Sequence, residues 1–90
     1  MADYNFEQFK QKIEQEHTFP TVYMFKFIVP ADNKKLALVE ALFTEESELH
    51  QKESSNGKYI SITSKQVVIS ADEIINIYQK AMKIEGLMAL

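Results

Sequence analysis

The run Thr21-Val22-Tyr23-Met24-Phe25-Lys26-Phe27-Ile28-Val29 constrains this chain more than any other stretch. It consists largely of β-branched and aromatic residues, the types that suit a pleated surface, and it predicts a strand. A strand sends alternate side chains to opposite faces. Tyr23, Phe25, Phe27 and Val29 therefore share one face, and Val22, Met24, Lys26 and Ile28 share the other. Apolar residues on both faces predict a central strand with each face at least partly covered. Lys26 interrupts the run, which is also too short to cross a bilayer, so no membrane role is expected.

The segments around that strand are marked by caps and turns. Asn5, with Gln8 three residues on, has the layout of a capping box, and it opens a predicted helix over 5–16. Phe6, Phe9 and Ile13 form one narrow apolar stripe on it, and Pro20 ends it by pushing Phe19 out of the helical region. After Pro30, Asp32 caps a second helix over about 32–43, with Leu36, Val39, Leu42 and Phe43 inward. Residues 47–54 read as a charged edge strand with Leu49 as its single aliphatic member. Asn56-Gly57 predicts a tight hairpin turn into a strand over 58–69, in which Val67-Val68-Ile69 breaks the alternation and predicts a bulge or bend. Ser70-Ala71-Asp72-Glu73 is a second capping box, for a helix carrying Ile74, Ile77, Tyr78, Ala81 and Ile84 inward. Gly86 is placed to end that helix in the left-handed conformation, before a short last strand over 87–90.

The order is one helix followed by βαββαβ. That order predicts an α+β fold, the ferredoxin-like plait: a four-stranded antiparallel sheet with two helices on one face. The 90 residues make a single domain, with an added N-terminal helix at 5–16 and the plait at 20–90. The added helix has two places to dock: over the open sheet face of its own chain, or over that of a second copy.

Composition removes several function classes. The net charge is −3 and all ten basic residues are lysines, so neither a basic face nor the planar arginine fork is offered to nucleic acid or phosphate. There is no cysteine, which excludes disulfides, thiol nucleophiles and zinc ribbons. The residues Met1-Ala2-Asp3-Tyr4-Asn5 lack the basic and apolar regions of a signal peptide, and the expected location is the cytoplasm.

Phe19-Pro20, the strand containing Lys26, the run Ser54-Ser55-Asn56-Gly57-Lys58-Tyr59 with Ser61 after it, and the last helix and strand together resemble the YbeD-like family of small bacterial proteins of unknown function. The resemblance covers about 17–90. It implies a ferredoxin-like domain similar to the ACT-type regulatory domains that sense amino acids, and it implies no established activity. The chain departs from the family at Val29, where a glycine is usual, and at Ser64 and Gln66, where apolar residues are.

No catalytic constellation stands out. His17 and His50 have no carboxylate at triad or metal-helix spacing and read as surface residues. Glu45, Glu46 and Glu48 read as a solvated loop, and no metal or cofactor is expected. Gly57 and Gly86 are occupied by turn and cap, so no glycine-rich loop holds phosphate. Acylphosphatases share the plait but use an arginine that this chain lacks.

Two groups of residues remain as candidate ligand or partner contacts. One lies at the first strand-to-helix connection, where ACT-type domains hold their ligands: Asp32, Asn33, Lys34 and Lys35, whose two lysines oppose the helix dipole. The other is Lys26, Tyr59 and Ser61 on the open sheet face. The expected function is a non-enzymatic regulatory module acting through protein or small-ligand contacts, with a homodimer as one form. The alternative is an RNA-binding module using Tyr59 with Lys26, Lys58 and Lys65, which the acidic balance disfavours.

Overall fold

Alternation along the long central strand settles the layers. The computed structural model describes residues 5–90; Met1–Tyr4, on which the signal-peptide expectation rests, lie outside the described residues. The elements are α1 (Phe6–Glu16), β1 (Thr21–Pro30), α2 (Asn33–Glu40), β2 (Glu48–Glu53), β3 (Tyr59–Val68), α3 (Ala71–Ala81) and β4 (Met88–Ala89). One four-stranded sheet has the order β2-β3-β1-β4, with every neighbouring pair antiparallel. This is the βαββαβ plait with an extra N-terminal helix.

The helix-facing side of the sheet forms the core. Phe25, Phe27 and Val29 of β1 and Ile62 and Val68 of β3 are fully buried there, with Val39 of α2 and Ile74 of α3. Rings cross-brace it: Phe25 lies 5.5 Å from Phe43 and 5.6 Å from Tyr78, and Phe27 lies 5.6 Å from Tyr78 edge-on. Val29 points into this core.

The caps form as the sequence predicts. Asn5 Oδ1 accepts from Gln8 N at 3.1 Å, and Asp32 Oδ1 accepts from Lys34 N at 2.8 Å and Lys35 N at 3.3 Å. Ser70 Oγ accepts from Glu73 N, while Glu73 Oε1 reaches back to Ile69 N, one residue before the cap. Gly86 has φ +82°, and a Cβ there would stand 2.8 Å from Pro30 Cγ, so this glycine meets both a left-handed turn and a close approach.

Three expectations need correcting. First, β3 has no bulge: its register with β1 runs unbroken from Pro30↔Tyr59 to Thr21↔Val68. Val68 faces the core, Val67 projects from the opposite face opposite Val22, and Ile69 lies beyond the strand. Apolar residues on both sides of the sheet, rather than an extra residue, break the pattern. Second, the hairpin is wider than a two-residue turn. Ser54 N donates to Tyr59 O and Gly57 N to Ser54 O, and Gly57 alone has positive φ, whereas the two-residue type I′ turn needs it twice. Third, α2 ends at Glu40; Leu42 and Phe43 follow in a turn, and both still pack on the core.

The N-terminal helix does not cover its own open sheet face. Ile13 is buried in the same core as Phe25 and Phe27, and the Phe9 ring sits edge-on 5.2 Å from Tyr78 of α3. A Lys10–Asp72 ion pair at 2.9 Å joins α1 to α3 at the surface. Thus α1 extends the helical layer, and the other side of the sheet is left uncovered by any described element.

Candidate functional site

Register places the side chains of the open face in rows. Val22 lies opposite Val67; Met24 opposite Lys65, which faces Glu48; Lys26 opposite Thr63, which faces His50; and Ile28 opposite Ser61, which faces Lys52. β4 adds Met88 beside Ile28, and Leu90 N donates to Lys26 O at 2.9 Å, which sets Leu90 beside Lys26. The apolar members are well exposed: Val22 61%, Met24 56%, Val67 63%, Met88 51% and Leu90 66%. Apolar exposure of this kind is a common feature of interaction surfaces.

At the hairpin end of this face lies a pocket of about 480 Å³, lined by Ile28, Lys52, Glu53, Ser54, Ser55, Tyr59, Ser61 and Met88. Ile28 and Met88 are cross-strand partners and give it an apolar side. The loop that forms its rim is tied internally. Ser54 Oγ donates to Asn56 Oδ1 at 2.8 Å and accepts from Tyr59 N at 3.1 Å, and Asn56 Oδ1 also accepts from Lys58 N. Ser61 Oγ bonds the Lys52 carbonyl at 3.4 Å. The Ser-Ser-Asn-Gly-Lys-Tyr run thus builds a fixed wall.

The predicted residues separate into two places. Tyr59 and Ser61 line the pocket, and Lys26 stands one row away on the same face, exposed. Asp32, Asn33, Lys34 and Lys35 lie at the start of α2, at the same end of the sheet, because Ala31 N bonds Lys58 O across from the hairpin. There the Asp32 carboxylate already takes the Lys34 and Lys35 backbone N–H groups. Lys35 Nζ points to Glu85 at 3.8 Å, over Gly86. Asp32 with the Lys34 and Lys35 N–H groups forms the cap, Lys35 makes the interloop contact, and none of the four residues lines the pocket.

Sequence reasoning missed Lys52, Glu53, Ser54, Ser55 and Met88 as pocket residues, and Val67 and Leu90 as members of the face. The hairpin register carried a signal for Lys52, which sits opposite Ser61. Met88 and Leu90 required knowing that the last strand pairs with β1. His50 is exposed on the open face, as expected, whereas His17 is half-buried, with its ring 5.6 Å from that of Tyr23. Among the described residues no group of three His, Cys, Asp or Glu side chains is arranged to hold a metal. Among the described residues no helix is long and apolar enough to cross a membrane.

Residues 14–90 match the model of a family described as protein of unknown function (DUF493). No curated protein and no solved structure matches the chain. The chain belongs to this family, which is the YbeD-like family whose hairpin run it carries.

Proposed function

From membership of a family without an assigned activity, we propose that this protein is a non-enzymatic cytoplasmic module that acts in regulation by docking another protein on its open sheet face. One observation carries the reading: β1, β3 and β4 expose five large apolar side chains together on a face that α1, although amphipathic, leaves bare. A chain with an apolar stripe to spare places it on α3, and the sheet face stays available. The test places a photo-crosslinking amino acid at Met24, and separately at Met82, an exposed residue at the end of α3. A discrete adduct in the source cells is expected from position 24 only, lost when Val67→Asp is added. Equal adducts from both positions, or none from 24, would overturn the reading.

The pocket supports a second reading, contact with a small ligand. Native mass spectrometry of gently purified protein should then show a retained mass that Ser61→Tyr abolishes. A bare protein mass would leave the docking face as the only reading.

A further inference from the structure

The charge on the open face runs against the charge of the chain. The whole protein carries 13 acidic residues against 10 lysines, a net charge of −3. The register puts Lys26, Lys52 and Lys65 on the open face with Glu48 as the one carboxylate in its rows, and Glu53 lines the pocket at the hairpin end. Counting Glu53, the face is +1 with His50 neutral, and the remaining seven lysines and eleven acidic residues leave −4 elsewhere. The three lysines are exposed, and the ion pairs among the described residues, Lys10–Asp72 and Lys35–Glu85, use none of them.

The lysines also have an order. Lys65, Lys26 and Lys52 occupy three successive rows, so they cross the sheet as a broken line. Successive rows lie two residues apart along a strand, about 7 Å. Val22 and Val67 fill the row on one side of Lys26 and Lys65 and Ile28 and Met88 the row on the other, with Met24 beside Lys65 and Leu90 beside Lys26. An occupant that satisfies this face brings apolar groups for both patches and anionic groups for the line between them.

We infer, resting on the docking reading above, that the partner of this face is an acidic amphipathic segment of another protein, with leucine-like side chains flanked by carboxylates. A second copy is a poorer fit: stacking two copies face to face sets one net-positive face against another across a low-dielectric contact. Nucleic acid shares the required sign but not the rest. Base stacking needs aromatic platforms, and the exposed apolar residues here are valine, methionine and leucine, with Tyr59 the one aromatic side chain on the face and no arginine in the chain. Aliphatic patches beside point charges suit an amphipathic polypeptide.

The test is an NMR titration of the full protein, following backbone amides, with two capped 14-residue helical peptides. One is made of leucine and glutamate with leucines at three- and four-residue spacing, and the other replaces glutamate with lysine. The acidic peptide should shift the amides of Met24, Lys26, Lys65 and Val67 and bind at least about tenfold more tightly than the basic one, weakening with salt. The double variant Lys26→Glu/Lys65→Glu, at two exposed positions and with its fold checked by the same spectra, should invert that preference. Equal binding of the two peptides, preference for the basic one, no binding of either, or shifts on the helical side would overturn the inference. So would an oligouridine that moves the same amides while the acidic peptide does not. If position-24 crosslinks persist when acidic preference is absent, the docking face stands and its chemistry is wrong; if the crosslinks also vanish, the docking reading itself fails.

Discussion

The two faces of the sheet use similar residues to opposite ends. Toward the helices, Phe25, Phe27 and Val29 are excluded from water and interlock with Phe43, Tyr78 and Ile62. On the other face of the same strands, Val22, Met24 and Val67 stay more than half exposed. Burying a large apolar side chain is worth about 1.5–3 kcal/mol, so the helical side holds the fold together and the open side contributes little to it. Apolar character on β1 therefore supplies cohesion on one face and stays exposed on the other. The two sheet edges differ in a similar way. β2 exposes Glu48, His50, Lys52 and Glu53, charges that deter strand addition, whereas Met88 and Leu90 flank the opposite edge.

The sharpest way to break this comparison is to truncate one residue from each face. Phe27→Ala removes a fully buried ring and is expected to cost about 3–5 kcal/mol in denaturant unfolding. Met24→Ala, on the open face, should stay within about 0.5 kcal/mol of the parent. A comparable loss at both positions would mean that the open face is covered in solution, and the contrast between the faces would fall.

Much of this arrangement is readable from the residues, and where it is not the reason is physical. The faces of β1, the caps at Asn5, Asp32 and Ser70, and the left-handed Gly86 follow from local chemistry, which acts within a few residues. Val67-Val68-Ile69 misleads because alternation presumes one wet, polar face, and here the wet face carries valine. The docking place of α1 is not legible, since its stripe of Phe6, Phe9 and Ile13 fits an open sheet as well as a helix pair; only the depth of Tyr78 beside it decides. The pocket is nonlocal in the same sense, because Met88 and Lys52 reach it from opposite sides of the β1–β3 pair. Gln66, which looks misplaced in sequence, accepts from Thr44 N at 3.3 Å and anchors the turn after α2.

Ser64 sharpens the contrast by testing how well the covered face is optimised. It lies between Phe25 and Leu49 in the register, fully buried, and its hydroxyl has no hydrogen-bond partner among the described residues. A buried hydroxyl without a partner costs about 1–3 kcal/mol of lost hydration, while its removal leaves a cavity of only one atom. Ser64→Ala is therefore expected to raise stability by about 1 kcal/mol, read as a higher denaturation midpoint at unchanged slope. A lower midpoint would show that the hydroxyl is satisfied in solution by a buried water molecule.

The smallest effect concerns how α1 is held on the helical side. The Asp72 carboxylate, 2.9 Å from Lys10 Nζ, raises the lysine pKa above its ordinary value, first through their hydrogen bond and then through its charge, with Glu14 and Glu7 adding to it. A folded-state pKa above the unfolded one makes the pair stabilising at every pH below the unfolded lysine value, and that contribution disappears as pH rises through the raised folded value. The melting-temperature difference between the parent and Lys10→Gln should therefore be constant from neutral pH to about pH 10, where a free lysine begins to titrate, and vanish above the folded value. Because the two side chains are 33% and 75% exposed, added salt at neutral pH should shrink the same difference. A difference that survives both strong alkali and high salt would assign the role to the lysine's methylene stem packing on α3, and α1 would then be held by apolar contact alone, as the rest of that face is.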